Sequence, residues 1–193
     1  RMADYDPAEN RADAERLAGL FEKLAHLPLP TIALVNGPAY GGGVGLVAAC
    51  DFAVARPNAE FRLSEVSLGL IPAVISPYIV RAIGSRAANQ LFLSGRKFDA
   101  AEAERLGLLS DVVKPAAFDR TGESLSLMLL RNGPEAMAAA KELVAFVADR
   151  PVDRAVIDGT IARIAARRAS AEGKEGLSAF LEKRTPSWRN IGA

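Results

Sequence analysis

The chain has 193 residues, 24 basic and 23 acidic side chains, and a net charge of +1. That length suits one domain with a small appendage, and half of the residues are hydrophobic, enough for a large core. So even a charge balance offers no electrostatic basis for binding nucleic acid or an anionic membrane, and the 6% aromatic content leaves little for stacking on bases. The single cysteine, Cys50, excludes an internal disulfide and a cysteine-based zinc site, and in LVAACDFAV it reads as a small buried hydrophobe. No apolar run approaches the ~18 residues of a membrane span. The opening RMADYDPAEN has no apolar signal segment, so the expected compartment is a reducing cytoplasm. It also lacks an initiator Met, and the chain is expected to be a piece of a longer protein.

Residues 10–27 have the spacing of an amphipathic helix, with Leu17, Leu20, Phe21 and Leu24 on one face. LPLP ends it, because Pro28 and Pro30 cannot continue a helix. TIALVN predicts a short buried strand, followed by a glycine loop and a helix from about Gly43 to Cys50. DFAVA and EFRL predict two more strands around an RPNA turn. SLGLIPAVISPYIV reads as a buried loop leading into a helix. In FDAAEAERLGLLSDVV, Asp99 is a candidate N-cap with Glu102 three residues on, Gly107 a candidate C-terminal glycine, and LLSDVV a strand. From Pro134 the pattern is helical, through Ala136, Ala140, Leu143, Val144 and Val147 and then Ile157, Ile161 and Ile164. The expectation is an α/β part over 1–133 and an all-α tail over 134–193, divided at RNGPE.

The stretch TIALVNGPAYGGGVGLVAACD holds the most informative chemistry. Glycines Gly41, Gly42, Gly43 and Gly45 cost backbone entropy, roughly 0.5–1 kcal/mol each inside a regular element. Gly43 to Ala48 matches G-x-G-x-x-G/A, with Glu65 as a candidate ribose acid. However, NGPAYGG separates the strand from the motif, and Glu65 lies beyond the second strand. A serine hydrolase fails for want of G-x-S-x-G, and the only histidine, His26, reads as a surface or helix-end residue. No Gly-Lys-Ser/Thr follows the glycines, so a phosphate loop fails too. An oxyanion hole fits: glycines entering a helix leave unpaired N–H groups backed by the positive end of the helix dipole. One such donor is worth roughly 3–4 kcal/mol of transition-state stabilisation. The chemistry also needs a proton carrier. Glu65, between Leu63 and Val66 and ahead of a Gly/Pro loop, is the best candidate. On its local sequence alone, a surface glutamate at a strand end is the stronger reading.

Together these segments resemble the crotonase (enoyl-CoA hydratase/isomerase) family. The resemblance rests on four blocks in order: PTIALVNGPAYGGGVGLVAACDFAVA, AEFRLSEVSLGLIPA, GRKFDAAEAERLGLLSDVV and EGLSAFLEKR. It implies a crotonase-like α/β spiral of short strands and helices (a ββα superhelix) with a C-terminal all-α tail. It also implies an acyl-CoA thioester substrate, no cofactor beyond the coenzyme A carried by that substrate, no metal, and assembly as a homotrimer or a dimer of trimers. By position, Gly42 matches a backbone oxyanion donor and Glu65 the family's second catalytic glutamate. Tyr40, Gly41, Ile71, Pro72 and Ala73 are expected at the substrate. Phe180 and Lys183 match tail residues that approach the CoA, often from a neighbouring subunit, although Lys183 is also readable as an ordinary solvated helix charge.

The chain departs from the family pattern in three places. Gly45 stands where the family's first glutamate falls, IPAVISPYIV replaces a glycine-rich loop, and the strands supplying the second oxyanion donor would precede Arg1. GGGVGLVAACD and SEVSLGLIPAVISPYIVRAIG are most similar to a branch acting on methylglutaconyl-type CoA esters, for whose distal carboxylate Arg62 and Arg81 are the candidate partners. The expected activity is hydration of an enoyl-CoA. The alternatives are a Δ3-Δ2 enoyl-CoA isomerase and a non-catalytic acyl-CoA-binding protein.

Overall fold

A computed structural model describes residues 4–190. They fall into two compact units: the chain up to Leu27 with Thr31–Gly122, and Pro28–Pro30 with the chain from Glu123 onward.

The first unit opens with helix α1, Pro7–Ala25. It starts ahead of the expected residue 10 because Asp6 accepts the Ala8 and Glu9 N–H groups while Glu9 accepts the Asp6 N–H. This reciprocal capping box lies in a polar stretch that hydrophobic periodicity does not register. His26 caps the other end, its Nδ1 2.8 Å from the Glu22 carbonyl. Of the four residues on the expected apolar face only Phe21 is buried, Leu24 packs against the core, and Leu17 and Leu20 remain exposed.

Strands β1 (Ile32–Val35), β2 (Ala39–Tyr40), β3 (Phe52–Ala55), β4 (Glu60–Arg62), β5 (Lys97–Asp99) and β6 (Asp111–Val112) form two three-stranded sheets. One has the order β1-β3-β6 and is wholly parallel; the other has the order β2-β4-β5, with β2 parallel and β5 antiparallel to β4. Central β3 is buried along most of its length, which accounts for its unbroken apolar sequence. Its register against β1 is set at the entry, where Asp51 accepts the Thr31 N–H (2.8 Å) and hydroxyl (2.9 Å) and the Thr31 hydroxyl accepts the Asp51 N–H (3.0 Å). In the second sheet Phe61 and Phe98 face each other and stack, centroids 5.5 Å apart.

Between these strands run helices α2 (Gly42–Ala49), α3 (Ser76–Ser94) and α4 (Ala100–Leu106), then α5 (Phe118–Leu129). Helix α3 is kinked at Gly84, whose φ of 75° and ψ of 158° belong to a region that is essentially glycine-only. Asp99 caps α4 through the Glu102 N–H and Gly107 closes it, as the spacing predicts. Cys50 is half-buried at the end of α2, not enclosed as its apolar neighbours suggested, because it lies where the chain leaves the helix for β3. The core joins Val44, Phe61, Leu63, Ile75, Ile79 and Leu91, with Phe21 closing it from α1.

The division between the units falls inside α5, where the sequence placed the start of the tail at residue 134. RNGPE marks the beginning of a helix, α6 (Pro134–Val147), and α5 runs unbroken past the boundary. The second unit continues with α7 (Arg154–Ala169) and α8 (Ala171–Leu181). Glu172 accepts the Glu135 and Ala136 N–H groups at 2.9 and 2.7 Å, clasping the start of α6 to the first turn of α8. Farther along, Glu175 takes a two-pronged bond from Arg184 (2.7 and 2.8 Å) and the Ser187 N–H (2.8 Å), which draws the terminal 3-10 turn Ser187–Asn190 back to α8.

Arg184 first, and the Ser187 N–H next, hold the Glu175 carboxyl at about 2 against an ordinary 4.5. A depressed folded value means that this clasp stabilises above the ordinary carboxylate range and is lost as pH falls toward the folded value. Acid titration from pH 5 to pH 2, read by fluorescence of the only tryptophan, Trp188, should therefore show the terminal turn releasing. Glu175→Gln should give the released spectrum already at neutral pH.

Candidate active site

The site is built by two neighbouring strands that run the same way. Parallel pairing sets Ala39 beside Phe61 and Tyr40 beside Arg62, and the Gly41 N–H extends the ladder to the Arg62 carbonyl at 2.9 Å. Both strands therefore end at one edge. There β2 turns into α2 through Gly41, while β4 runs through Leu63 and Ser64 into a 3-10 turn that begins at Glu65. Residues more than twenty positions apart in sequence meet because two short strands share a direction.

Gly41 has φ 50° and ψ −118°, the conformation of the first central residue of a type II′ turn, which glycine dominates. Its carbonyl accepts the N–H groups of Val44 (3.0 Å) and Gly45 (3.2 Å). The N–H groups of Gly42 and Gly43 have no acceptor among the described residues. They are the orphan donors of a helix start, with the positive end of the dipole behind them, and Gly42 is exposed. Such a pair can hold an oxygen on which negative charge develops.

Glu65 stands beside them. A Cβ added to Gly41 would lie 3.2 Å from its Oε1, so the carboxyl occupies the flank of the glycine turn. Its Oε2 is buried without a hydrogen-bond partner. A buried carboxyl oxygen left unmatched is costly and marks a place where substrate or water belongs. The Glu65 carbonyl accepts the Leu70 N–H at 3.0 Å, and Arg62 braces the turn by donating to the Gly95 carbonyl (2.7 Å) and, more weakly, to Ser67 Oγ (3.5 Å).

The structure thus brings together Gly41, Gly42 and Glu65. The other expected residues are placed differently. The Tyr40 hydroxyl donates to Glu60 Oε1, and Glu60 also pairs with Lys97 at 2.8 Å. Lys97 first, then Tyr40, hold the Glu60 carboxyl below its usual range. Ile71 is 74% exposed and Ala73 is exposed, whereas Pro72 is buried. Arg62, a candidate for a distal carboxylate, is engaged with Gly95 and Ser67, and Arg81 is exposed. In the second unit Phe180 is 80% exposed and Lys183 adopts φ 55° just beyond α8. An open groove of about 700 Å³ between α6, α7 and α8 is lined by small residues such as Ala136, Ala140 and Gly176, with Trp188 on its wall. Among the described residues there is no cluster of side chains fit for a metal ion, and no helix long and apolar enough to cross a membrane.

Sequence reasoning missed the wall behind the glycines. Phe21 appeared only as one of a helical series and Ile75 only as part of a loop, yet both pack against Gly45. The signal was the glycine itself, in a helix interior where alanine is otherwise preferred.

The enoyl-CoA hydratase/isomerase family model matches residues 1–191, and the chain belongs to that family of enzymes. A Shewanella pealeana enoyl-CoA hydratase structure superposes with a TM-score of 0.94 at 45% identity, covering 97% of this chain and 70% of that one. Pseudomonas aeruginosa AtuE gives a TM-score of 0.91 at 35% identity, covering 98% and 73%. An Escherichia coli K12 carnitinyl-CoA dehydratase is 35% identical over 184 residues, 89% of this chain and 67% of that protein. The fold is the crotonase fold, an α/β core followed by C-terminal helices.

Gly41→Ala tests the geometry. The backbone conformation should cost about 1–3 kcal/mol, and the new methyl group would press on the Glu65 carboxyl. Melting temperature should fall modestly, and turnover of an enoyl-CoA ester should fall by on the order of 10²-fold. Unchanged turnover would show that the carboxyl's place beside the turn is immaterial.

Proposed function

We propose that this protein is an enoyl-CoA hydratase whose single carboxyl, Glu65, exchanges protons beside an oxyanion site at Gly42. The observation that carries this reading is the juxtaposition of the Glu65 carboxyl with the glycine turn whose next two amides are unbonded. The thioester oxygen accepts the Gly42 N–H. Glu65 removes a proton from water as the water oxygen bonds to the β-carbon, and the alkene electron pair moves onto the thioester oxygen as an enolate. The protonated carboxyl then returns its proton to the α-carbon, so the elements of water are added and Glu65 is restored. Acid–base help of this kind is worth about 10²–10⁴ in rate.

Relatives named hydratase and dehydratase act on the same bonds in opposite directions, which supports a hydro-lyase. The substrate class is α,β-unsaturated acyl-CoA thioesters, and the methylglutaconyl type rests on the likeness of GGGVGLVAACD and SEVSLGLIPAVISPYIVRAIG alone. Assembly as a trimer or a dimer of trimers, with Phe180 and Lys183 over a neighbour's CoA, rests on the family likeness; the exposed Ile157, Ile161, Leu177, Phe180 and Leu181 of the tail offer apolar surface that a second copy would cover. A second reading, Δ3-Δ2 isomerisation, is favoured by Gly45, because one carboxyl suffices to carry a proton between two carbons.

Glu65→Gln should abolish turnover while a CoA ester still binds. Turnover by the wild type in H₂¹⁸O should label the product. Unlabelled, double-bond-shifted product would identify an isomerase, and binding without turnover by the wild type would identify a non-catalytic carrier.

A further inference from the structure

Gly45 lies in the first turns of α2, buried, and its N–H bonds to the Gly41 carbonyl. A Cβ at this position would sit 2.9 Å from Ile75 Cβ and 3.0 Å from Phe21 Cε1, and closer still to Ile75 Cγ2. Ile75 and Phe21 are each 2% exposed, and Phe21 is held in turn against Tyr78 at a centroid distance of 5.8 Å. Both side chains are part of the hydrophobic core. Side chains on an α-helix lean toward its N-terminus, so a long side chain at 45 would extend over the turn that holds Gly41. That is the turn flanked by the Glu65 carboxyl.

We propose that Ile75, backed by Phe21, is a positioning residue that fills the space through which a second proton-carrying side chain, or a water beside it, would reach Glu65. Ile75 thereby holds the site to one-carboxyl chemistry. This rests on the reading of Glu65 as the acid/base. The Gly45 vacancy and the Ile75 side chain form one device. Glycine makes room for the isoleucine, and the isoleucine makes position 45 unusable for anything larger.

The two residues are coupled, so the test is a double-mutant cycle in the full chain. Alanine is ordinarily the better helix residue. Gly45→Ala should nevertheless lower the melting temperature of the otherwise native protein, by roughly 2–8 °C, because the methyl group overpacks against Ile75. In an Ile75→Ala background the same change should leave the melting temperature level or raise it. The kinetic arm uses Gly45→Glu with Ile75→Ala. Its pH–rate profile should show one ionisation more than the wild type, whereas Gly45→Glu alone should be too disordered to turn over. A Gly45→Ala effect that is the same in both backgrounds overturns the proposal, and so does a double variant whose pH profile keeps the wild-type number of ionisations. Loss of the Glu65 reading is seen separately, as full turnover by Glu65→Gln, and the melting cycle does not depend on it.

Discussion

The hydrogen bond from the Gly41 N–H to the Arg62 carbonyl is the interaction on which the site depends. It is the last rung of the β2–β4 ladder, and it decides that a helix start and a carboxyl-bearing turn arise at one sheet edge. Parallel strands deliver their C-terminal ends to the same side, and in α/β folds that side is where ligands bind. The short strands suffice because the ends are secured from elsewhere. Thr31 and Asp51 lock the entry of the first sheet, and Arg62 ties the turn after β4 to the end of α3.

Helix α2 has no polar side chain to stabilise it, and Gly41 makes no side-chain cap. Tertiary packing is what keeps it helical. Val44 and Val47 are buried, and Ile75 and Phe21 press against the face where Gly45 lies. The consequence for chemistry is an amide pair that is accessible at Gly42 and rigid behind it. A preorganised donor of this sort stabilises developing charge without moving at the moment of reaction. Beside this helix start the Glu65 carboxyl keeps one oxygen buried and unmatched.

Much of this architecture was legible in the sequence. Asp99 and Gly107 bracket α4 where capping chemistry puts them, and the apolar runs before and after the glycines are the parallel strands β1 and β3. The glycine cluster and Glu65 both stand out in the sequence, and the structure sets the Glu65 carboxyl beside Gly41. Other features were not legible. The polar capping box at Asp6 lies outside any hydrophobic pattern, and the kink at Gly84 interrupts a stretch that reads as an ordinary helix. Periodicity showed that α7 has an apolar face through Ile157, Ile161 and Ile164, yet all three are exposed. A periodic pattern says that a face needs covering; it does not say what covers it.

Local rules and motif spacing, then, determined where the chain bends and which amides are bare, because turns, caps and glycine clusters act over a few neighbouring residues. What the tertiary structure alone decided is that Glu65 lies beside Gly41 and that Ile75 occupies the room at Gly45. Both depend on contacts between distant segments, whose closeness comes from strand direction and core packing and leaves no trace in the spacing of the residues themselves.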